Sequence, residues 1–147
     1  VERFAYGVTI LESPCPGLVK EIENGNLDGT ETRRILDLAL QPMLAQGADT
    51  IVMDCTHYPF VIPLIRQITG PNVQVIDPAP AIARQTKRIL EEKSLLNQDA
   101  EMADIRLITS GDAGEFKTRV KQLLGLSYSV ETAAWQDGTP MLTSSIS

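Results

Sequence analysis

The chain has 147 residues, of which 43% are hydrophobic and 22% are charged, and this composition is typical of a globular protein with its own core. Its formal net charge is −6 and it has no run of Lys or Arg, which argues against nucleic acid as a partner. No apolar run approaches the roughly 20 residues of a membrane-spanning helix, which argues against a membrane partner.

The cysteine count and the start of the sequence indicate the cellular compartment and suggest that the chain is part of a longer protein. Its two cysteines, Cys15 and Cys55, are too few for a disulfide framework and suit a reducing cytoplasm. No basic-then-apolar leader is visible, so the sequence predicts no secretory signal. The chain begins at Val1 without a methionine, which suggests a fragment of a longer protein.

The first fifty residues predict a strand and two helices. Phe4 to Leu11 mixes aromatic and β-branched residues and predicts a strand, and Leu18 to Asn24 predicts a short amphipathic helix that Gly25 closes. Thr30 is predicted to cap the next helix, which Gly47 ends. The apolar residues of that helix recur at a four-residue step and predict one buried stripe: Ile35, Leu36, Ala39, Leu40, Met43 and Leu44.

The following segments alternate between strand and helix. A buried strand is predicted at Ile51 to Met53, a helix at Phe60 to Thr69, and a second buried strand at Val73 to Ile76. The later elements are a helix that starts at Asp77-Pro78-Ala79-Pro80, a polar loop at Ser94 to Ala103, a strand at Ile105 to Thr109 and a helix capped by Asp112 and Glu115. The alternation predicts an α/β fold, with a mostly parallel sheet flanked by helices.

The end of the first predicted core strand carries the chemistry. Cys55, Thr56 and His57 leave this strand together, and ligands of open α/β sheets bind just outside the carboxyl ends of the strands. A thiol becomes a useful base or nucleophile when an adjacent cation or donor favours the thiolate, and His57 can supply one.

The spacing of these residues leaves other interpretations open. Cysteine is among the residues most often buried, so Cys-x-His alone is also compatible with ordinary packing. A metal site is disfavoured because further Cys or His ligands are absent and because Asp54 lies on the opposite side of the strand from Cys55. A cysteine hydrolase would need an oxyanion hole beside Cys55, and a non-catalytic fragment that at most binds an acidic amino acid is a further alternative.

The segment from Ala48 to Pro59, which contains Cys-Thr-His-Tyr-Pro, resembles the second cysteine motif of the cofactor-independent glutamate racemases, within the aspartate/glutamate racemase superfamily. The resemblance covers about Val8 to Gly125 and extends to four further segments. These are Cys15-Pro16-Gly17-Leu18-Val19, Leu40 to Leu44, Val75-Ile76-Asp77-Pro78-Ala79 and Thr109-Ser110-Gly111-Asp112. It corresponds to the carboxy-terminal portion of such an enzyme.

The resemblance implies that glutamate is the substrate and that no pyridoxal phosphate is needed. Two cysteines would act on opposite faces of the substrate α-carbon, and the D-glutamate would serve peptidoglycan synthesis in the cytoplasm. Cys55 would be the base for L-glutamate, His57 would assist the proton transfer at Cys55, and Thr56 would bind the amino or carboxylate end of the substrate. Aspartate or another amino acid is an alternative substrate within the same superfamily.

The resemblance also implies that part of the enzyme is absent from this chain. The family's other cysteine belongs to a first domain that is not present, and Cys15 resembles a structural position. Asp54 stands where the family usually has glycine. We therefore expect residues 1–93 to form a racemase-like α/β domain and residues 94–126 to pack on the missing amino-terminal domain or to drive formation of a homodimer. Residues 127–147 are rich in Ser and Thr and are predicted to be disordered.

Overall fold

The computed structural model describes residues 7–97 and 105–146. The contacts of these residues divide the chain into two compact units. The first holds the described residues up to Ile22 together with Asn26–Ala83, and the second holds Glu23–Gly25 together with the described residues from Arg84 onward. This division falls earlier in the chain than the predicted boundary at residue 93.

The elements follow the predicted alternation, and the α/β class is confirmed. The helices are α1 (Leu18–Glu23), α2 (Thr30–Ala45), α3 (Ile62–Thr69), α4 (Ala79–Glu92) and α5 (Ala113–Leu124). The strands are β1 (Thr50–Val52), β2 (Gln74–Ile76), β3 (Leu107–Thr109), β4 (Val130–Gln136) and β5 (Thr139–Ile146). None of the helices in the described part of the chain is long and apolar enough to cross a membrane.

The core of the first unit lies between α2, α3 and a two-stranded parallel sheet. The predicted stripe of α2 is buried at Ile35, Leu36, Ala39 and Leu40, and α3 buries Leu64 and Ile65. In the sheet, Ile51 pairs with Val75 in a parallel register. The chain leaves α2 through Gly47, whose positive φ of 82° closes the helix while its N–H donates to the Leu44 carbonyl.

The structure corrects two predictions near the start of the chain. In the predicted strand Phe4 to Leu11, residues 8–11 form no strand, and residues 4–6 lie outside the described part. Thr30 does not cap α2, because Gly29 occupies the capping position and Thr30 is already helical. The buried hydroxyl that ties down this end of the helix belongs to Thr32, and it donates to the Asn26 carbonyl.

The second unit holds a mixed sheet in the order β3-β4-β5. β3 pairs with β4 in parallel, and β4 pairs with β5 in antiparallel orientation. The α5 helix begins at Asp112, whose side chain accepts a hydrogen bond from the Glu115 N–H at 2.7 Å, as the sequence predicted. Val130, the first residue of β4, is completely buried.

The prediction that residues 127–147 are disordered is wrong for most of this segment, because Val130–Gln136 forms β4 and Thr139–Ile146 forms β5, while residue 147 lies outside the described part. Asp137 and Gly138 connect the two strands with φ angles of 49° and 77°. Two consecutive positive φ angles are the signature of the two-residue turn that matches the twist of a β-hairpin. The Asp-Gly pair therefore overrides the polar composition on which the prediction rested.

The hairpin turn provides a test of this correction. We expect Gly138→Ala to raise amide hydrogen exchange in β4 and β5 by about 5- to 30-fold, since an L-residue in this conformation costs about 1–2 kcal/mol. A Cβ at this position meets no atom within 4 Å, so the effect would come from the backbone alone. Asp137→Asn is the matched control and should leave the exchange unchanged. Fast exchange of the hairpin in the unmodified chain would contradict the structure.

Candidate active site

The candidate site is built where β1 leaves its sheet. Beyond the last paired residue of β1, the Met53 N–H still donates to the Ile76 carbonyl at 3.1 Å. Burial alternates along this strand, with Ile51 and Met53 buried and Val52 exposed. The chain then bends through Cys55, Thr56 and His57. The structure therefore places the three predicted site residues together at the carboxyl end of a parallel strand.

The bend is followed by a 3₁₀ helix, Tyr58–Val61. The Phe60 N–H donates to the His57 carbonyl at 3.1 Å and closes its first turn. Val61 is fully buried, so the end of this helix is anchored in the core. Cys55 and His57 are half-buried, whereas Thr56 is exposed. The bend thus holds its thiol and imidazole partly shielded from solvent and leaves its hydroxyl open to a ligand.

Cys15 lies close to this bend, beside Tyr58, and the sequence did not predict this association. Burial raises the pKa of the Cys15 thiol, a hydrogen bond with Tyr58 lowers this pKa, and the charge of Cys55 raises it. Burial also raises the pKa of Tyr58, and the charges of Cys15 and Cys55 add to that rise. The hydrogen bond joins Cys15 to Tyr58, and the charge of Cys55 acts on both groups, so we treat the two cysteines and Tyr58 as one cluster.

The loop that carries Cys15 explains how a distant residue reaches the cluster. The Cys15 carbonyl accepts a hydrogen bond from the Leu18 N–H at 3.1 Å, at the start of α1. Gly17 permits this turn with a φ of 87°, and Leu18 is completely buried. Cys15 itself is half-buried, and its Sγ lies 4.0 Å from the Ser13 carbonyl oxygen. Tyr58 stands directly after His57 in the motif, and this was the one signal that could have identified it.

The chemistry available to this cluster is proton transfer by thiols. The raised pKa of the Cys15 thiol disfavours its thiolate relative to that of an ordinary cysteine. Within residues 7–97 and 105–146, no group of three His, Cys, Asp or Glu side chains is arranged to hold a metal ion.

These features define an α/β protein with a thiol and an imidazole at the end of a parallel strand. The chain is homologous to glutamate racemases, and the resemblance noted in the sequence is thereby confirmed. It is 43% identical over 124 residues to a glutamate racemase of Herpetosiphon aurantiacus, an alignment that covers 84% of this chain and 48% of the relative. No protein-family model matches the chain.

Solved structures agree with this relationship. A glutamate racemase isoform from Bacillus anthracis superposes with a TM-score of 0.78 at 27% identity, over 86% of this chain and 47% of that one. The glutamate racemase of Thermus thermophilus in complex with β-chloro-D-alanine superposes with a TM-score of 0.70 at 25% identity, over 80% of this chain and 45% of that one. The chain thus spans about half the length of the relatives it matches.

The thiol cluster predicts how the reactivity of Cys15 depends on pH. The pH midpoint of Cys15 alkylation by iodoacetamide, followed by peptide mass spectrometry, should lie above the ordinary 9.0, because burial disfavours the thiolate. Tyr58→Phe should raise this midpoint further, since it removes the hydrogen bond that favours the thiolate.

Cys55→Ser is the matched control and should lower the same midpoint, because it removes the negative charge that opposes ionisation of Cys15. A midpoint that rises in Tyr58→Phe and falls in Cys55→Ser would show that the three side chains interact. A midpoint that stays unchanged in both variants would show that the three side chains do not interact.

Proposed function

We propose that this chain is part of a glutamate racemase that interconverts L- and D-glutamate without pyridoxal phosphate. The observation that supports this most directly is the presence of Cys55, Thr56 and His57 at the end of β1, in a chain homologous to glutamate racemases over most of its own length. The proposal includes a cytoplasmic location and the supply of D-glutamate to peptidoglycan synthesis. The two free cysteines suit a reducing compartment.

The proposed reaction is a proton transfer at the α-carbon of glutamate. The Cys55 thiolate removes the α-proton of L-glutamate, and the electron pair of the broken C–H bond stays on the α-carbon, delocalised into the carboxylate. A second thiol returns a proton to the opposite face, which gives D-glutamate and leaves that thiol as the thiolate. Because an amino-acid α-proton is weakly acidic, the step requires a closely held base and a partly dry site. The half-burial of Cys55 suits this requirement.

His57 and Thr56 complete the proposed half-site. Two residues from Cys55 on the same bend, the His57 imidazole would assist proton transfer at the thiol. Thr56 is exposed, so its hydroxyl would be free to bind the amino or carboxylate end of the substrate. The half-burial of His57 and the exposure of Thr56 agree with these two roles.

We assign the second proton-transferring thiol to the part of the racemase that this chain does not span. Cys15 is the only other cysteine of the chain, and it stands in a proline-rich turn that resembles a structural position of the family. Cys15 would therefore support the site and not act on the substrate.

A chimaera tests these roles in a complete protein. This chain would replace the matching segment of the Herpetosiphon aurantiacus relative, and formation of D-glutamate would be followed by circular dichroism. We expect turnover by the chimaera, and we expect Cys55→Ala to lower its rate by about 10²- to 10⁴-fold, the usual contribution of a general base. Cys15→Ala is the matched control and should retain most of the rate.

Three results would contradict the proposal. One is a folded chimaera without turnover, and another is full activity in Cys55→Ala. The third is a loss in Cys15→Ala as large as the loss in Cys55→Ala, which would assign the second base to Cys15. Near-ultraviolet circular dichroism of each variant would separate a failure to fold from a catalytic defect.

We also propose that the sheet of the second unit binds the missing part of the racemase, or a second copy of this chain. Ile108, Trp135 and Leu142 are 48%, 68% and 51% exposed. The registers Ile108↔Glu131 and Ala133↔Leu142, with Trp135 two residues from Ala133, place these side chains on one face together with Glu131, which forms an ion pair with Arg106. Exposed apolar patches with a polar rim mark interaction sites, so this face suits a partner.

The exposed sheet face predicts self-association of the isolated chain. In sedimentation experiments at micromolar concentration we expect dimers or larger species, and the double variant Trp135→Ser/Leu142→Lys should shift the distribution toward the monomer. Leu95→Lys is the matched control, because Leu95 is 66% exposed but lies outside this sheet, and it should change nothing. A monomeric unmodified chain across this range would count against the proposal.

A further inference from the structure

A groove in the first unit lies on the loop that carries Cys15. It has a volume of about 470 Å³ and is formed between residues 13–16 and helix α2. Its lining is mostly apolar and consists of Pro14, Pro16, Ile35, Leu38 and Ala39, together with the polar residues Ser13 and Arg34. Leu38 is 64% exposed although it is large and apolar. Pockets that bind small molecules have volumes of about 300–1,000 Å³ and combine an apolar lining with a few polar groups.

Arg34 supplies the charged group of this groove, and a neighbour holds its position. Its Nε donates to Glu31 Oε2 at 2.8 Å, and its Nη2 donates to Glu31 Oε1 at 2.6 Å. A guanidinium has five N–H donors in a planar fork, and these two bonds use only one edge of it. The described contacts of Arg34 include no other hydrogen bond, so its remaining donors are available to a ligand.

We propose that this groove binds a small apolar carboxylic acid, an aryl or alkyl monocarboxylate. The free donors of Arg34 would bind the carboxylate, and the apolar body of the ligand would cover Leu38 and the two prolines. Arg favours planar anions because its donors match the two carboxylate oxygens. The Arg34–Glu31 pair is exposed, so sharing the guanidinium with a ligand costs little. This site is separate from the proposed racemisation and does not depend on it.

Two variants on the same ion pair give opposite predictions. Phenylacetate is a suitable probe, and titration calorimetry of the full chain should give saturable 1:1 binding. Arg34→Gln should weaken this binding by about tenfold or more, since it removes a charge-assisted hydrogen bond. Glu31→Gln should strengthen it by roughly fivefold, because it removes a competing negative charge and keeps an amide oxygen beside Arg34.

The remaining variants test the apolar part and the specificity of the effect. Leu38→Asp should also weaken binding, whereas Arg88→Gln should not, although Arg88 forms a comparable exposed ion pair with Glu92 on α4. The absence of saturable binding at millimolar phenylacetate would overturn the proposal. An unchanged affinity in Arg34→Gln would also overturn the proposal. A third contradicting result is phenylacetate binding that disappears when the chain self-associates, because it would show that a second copy of the chain occupies the groove.

Discussion

The parallel pairing of β1 with β2 is the constraint on which the candidate site depends. Only three residue pairs define it, but the backbone adds a hydrogen bond at either end. The Gln74 N–H donates to the Asp49 carbonyl at 2.8 Å, and the Met53 N–H donates to the Ile76 carbonyl at 3.1 Å. Cys55 follows the last of these bonds by two residues. The position of the thiol is therefore fixed by the sheet, while its neighbours in the bend can differ in exposure.

The loop around Cys15 brings a second thiol to the bend. A buried Leu18 and a glycine with positive φ fix this loop, and its thiol meets Tyr58 beside the bend. Both groups have a raised pKa in the folded chain, so the unfolded chain loses these protons first as the pH rises. Below the ordinary values of 9.0 and 10.0 both groups are protonated in the folded and the unfolded chain, and above these values their ionisation destabilises the folded state. The cluster therefore predicts a loss of stability at alkaline pH.

The parts of the fold that sequence reasoning predicted are those with a local cause. β-branched residues define β1, a four-residue step defines the buried stripe of α2, and the Asp112 carboxylate caps α5. The failures have long-range causes or come from a neglected local signal. Val8 and Ile10 have strand-forming side chains, but their segment forms no strand, and a strand requires a partner. The Asp137–Gly138 turn was visible in the sequence, but the Ser and Thr content was given more weight.

The same distinction applies to the candidate site. Cys55, Thr56 and His57 could be proposed as site residues because one short motif contains all three. The association of Cys15 with Tyr58 could not be predicted, because it depends on how the loop before α1 folds onto the bend, and no residue spacing records that contact. A thiol in a proline-rich turn resembles a structural residue, and its half-buried position beside Cys55 emerges only in the folded chain.

Apolar surface is buried around the bend with Cys55 but is exposed on the sheets of both units. The bend with Cys55 lies inside the first unit, where Leu18, Ile22 and Val61 are completely buried. Val52 of β1 is nevertheless 57% exposed, and the sheet of the second unit has an uncovered apolar face. Exposed apolar surface on both units is what a chain would show if it matched only part of a longer relative, and this chain spans about half the length of the relatives it matches. Under the proposed reaction, proton transfer on opposite faces of the α-carbon would need the half that this chain does not span.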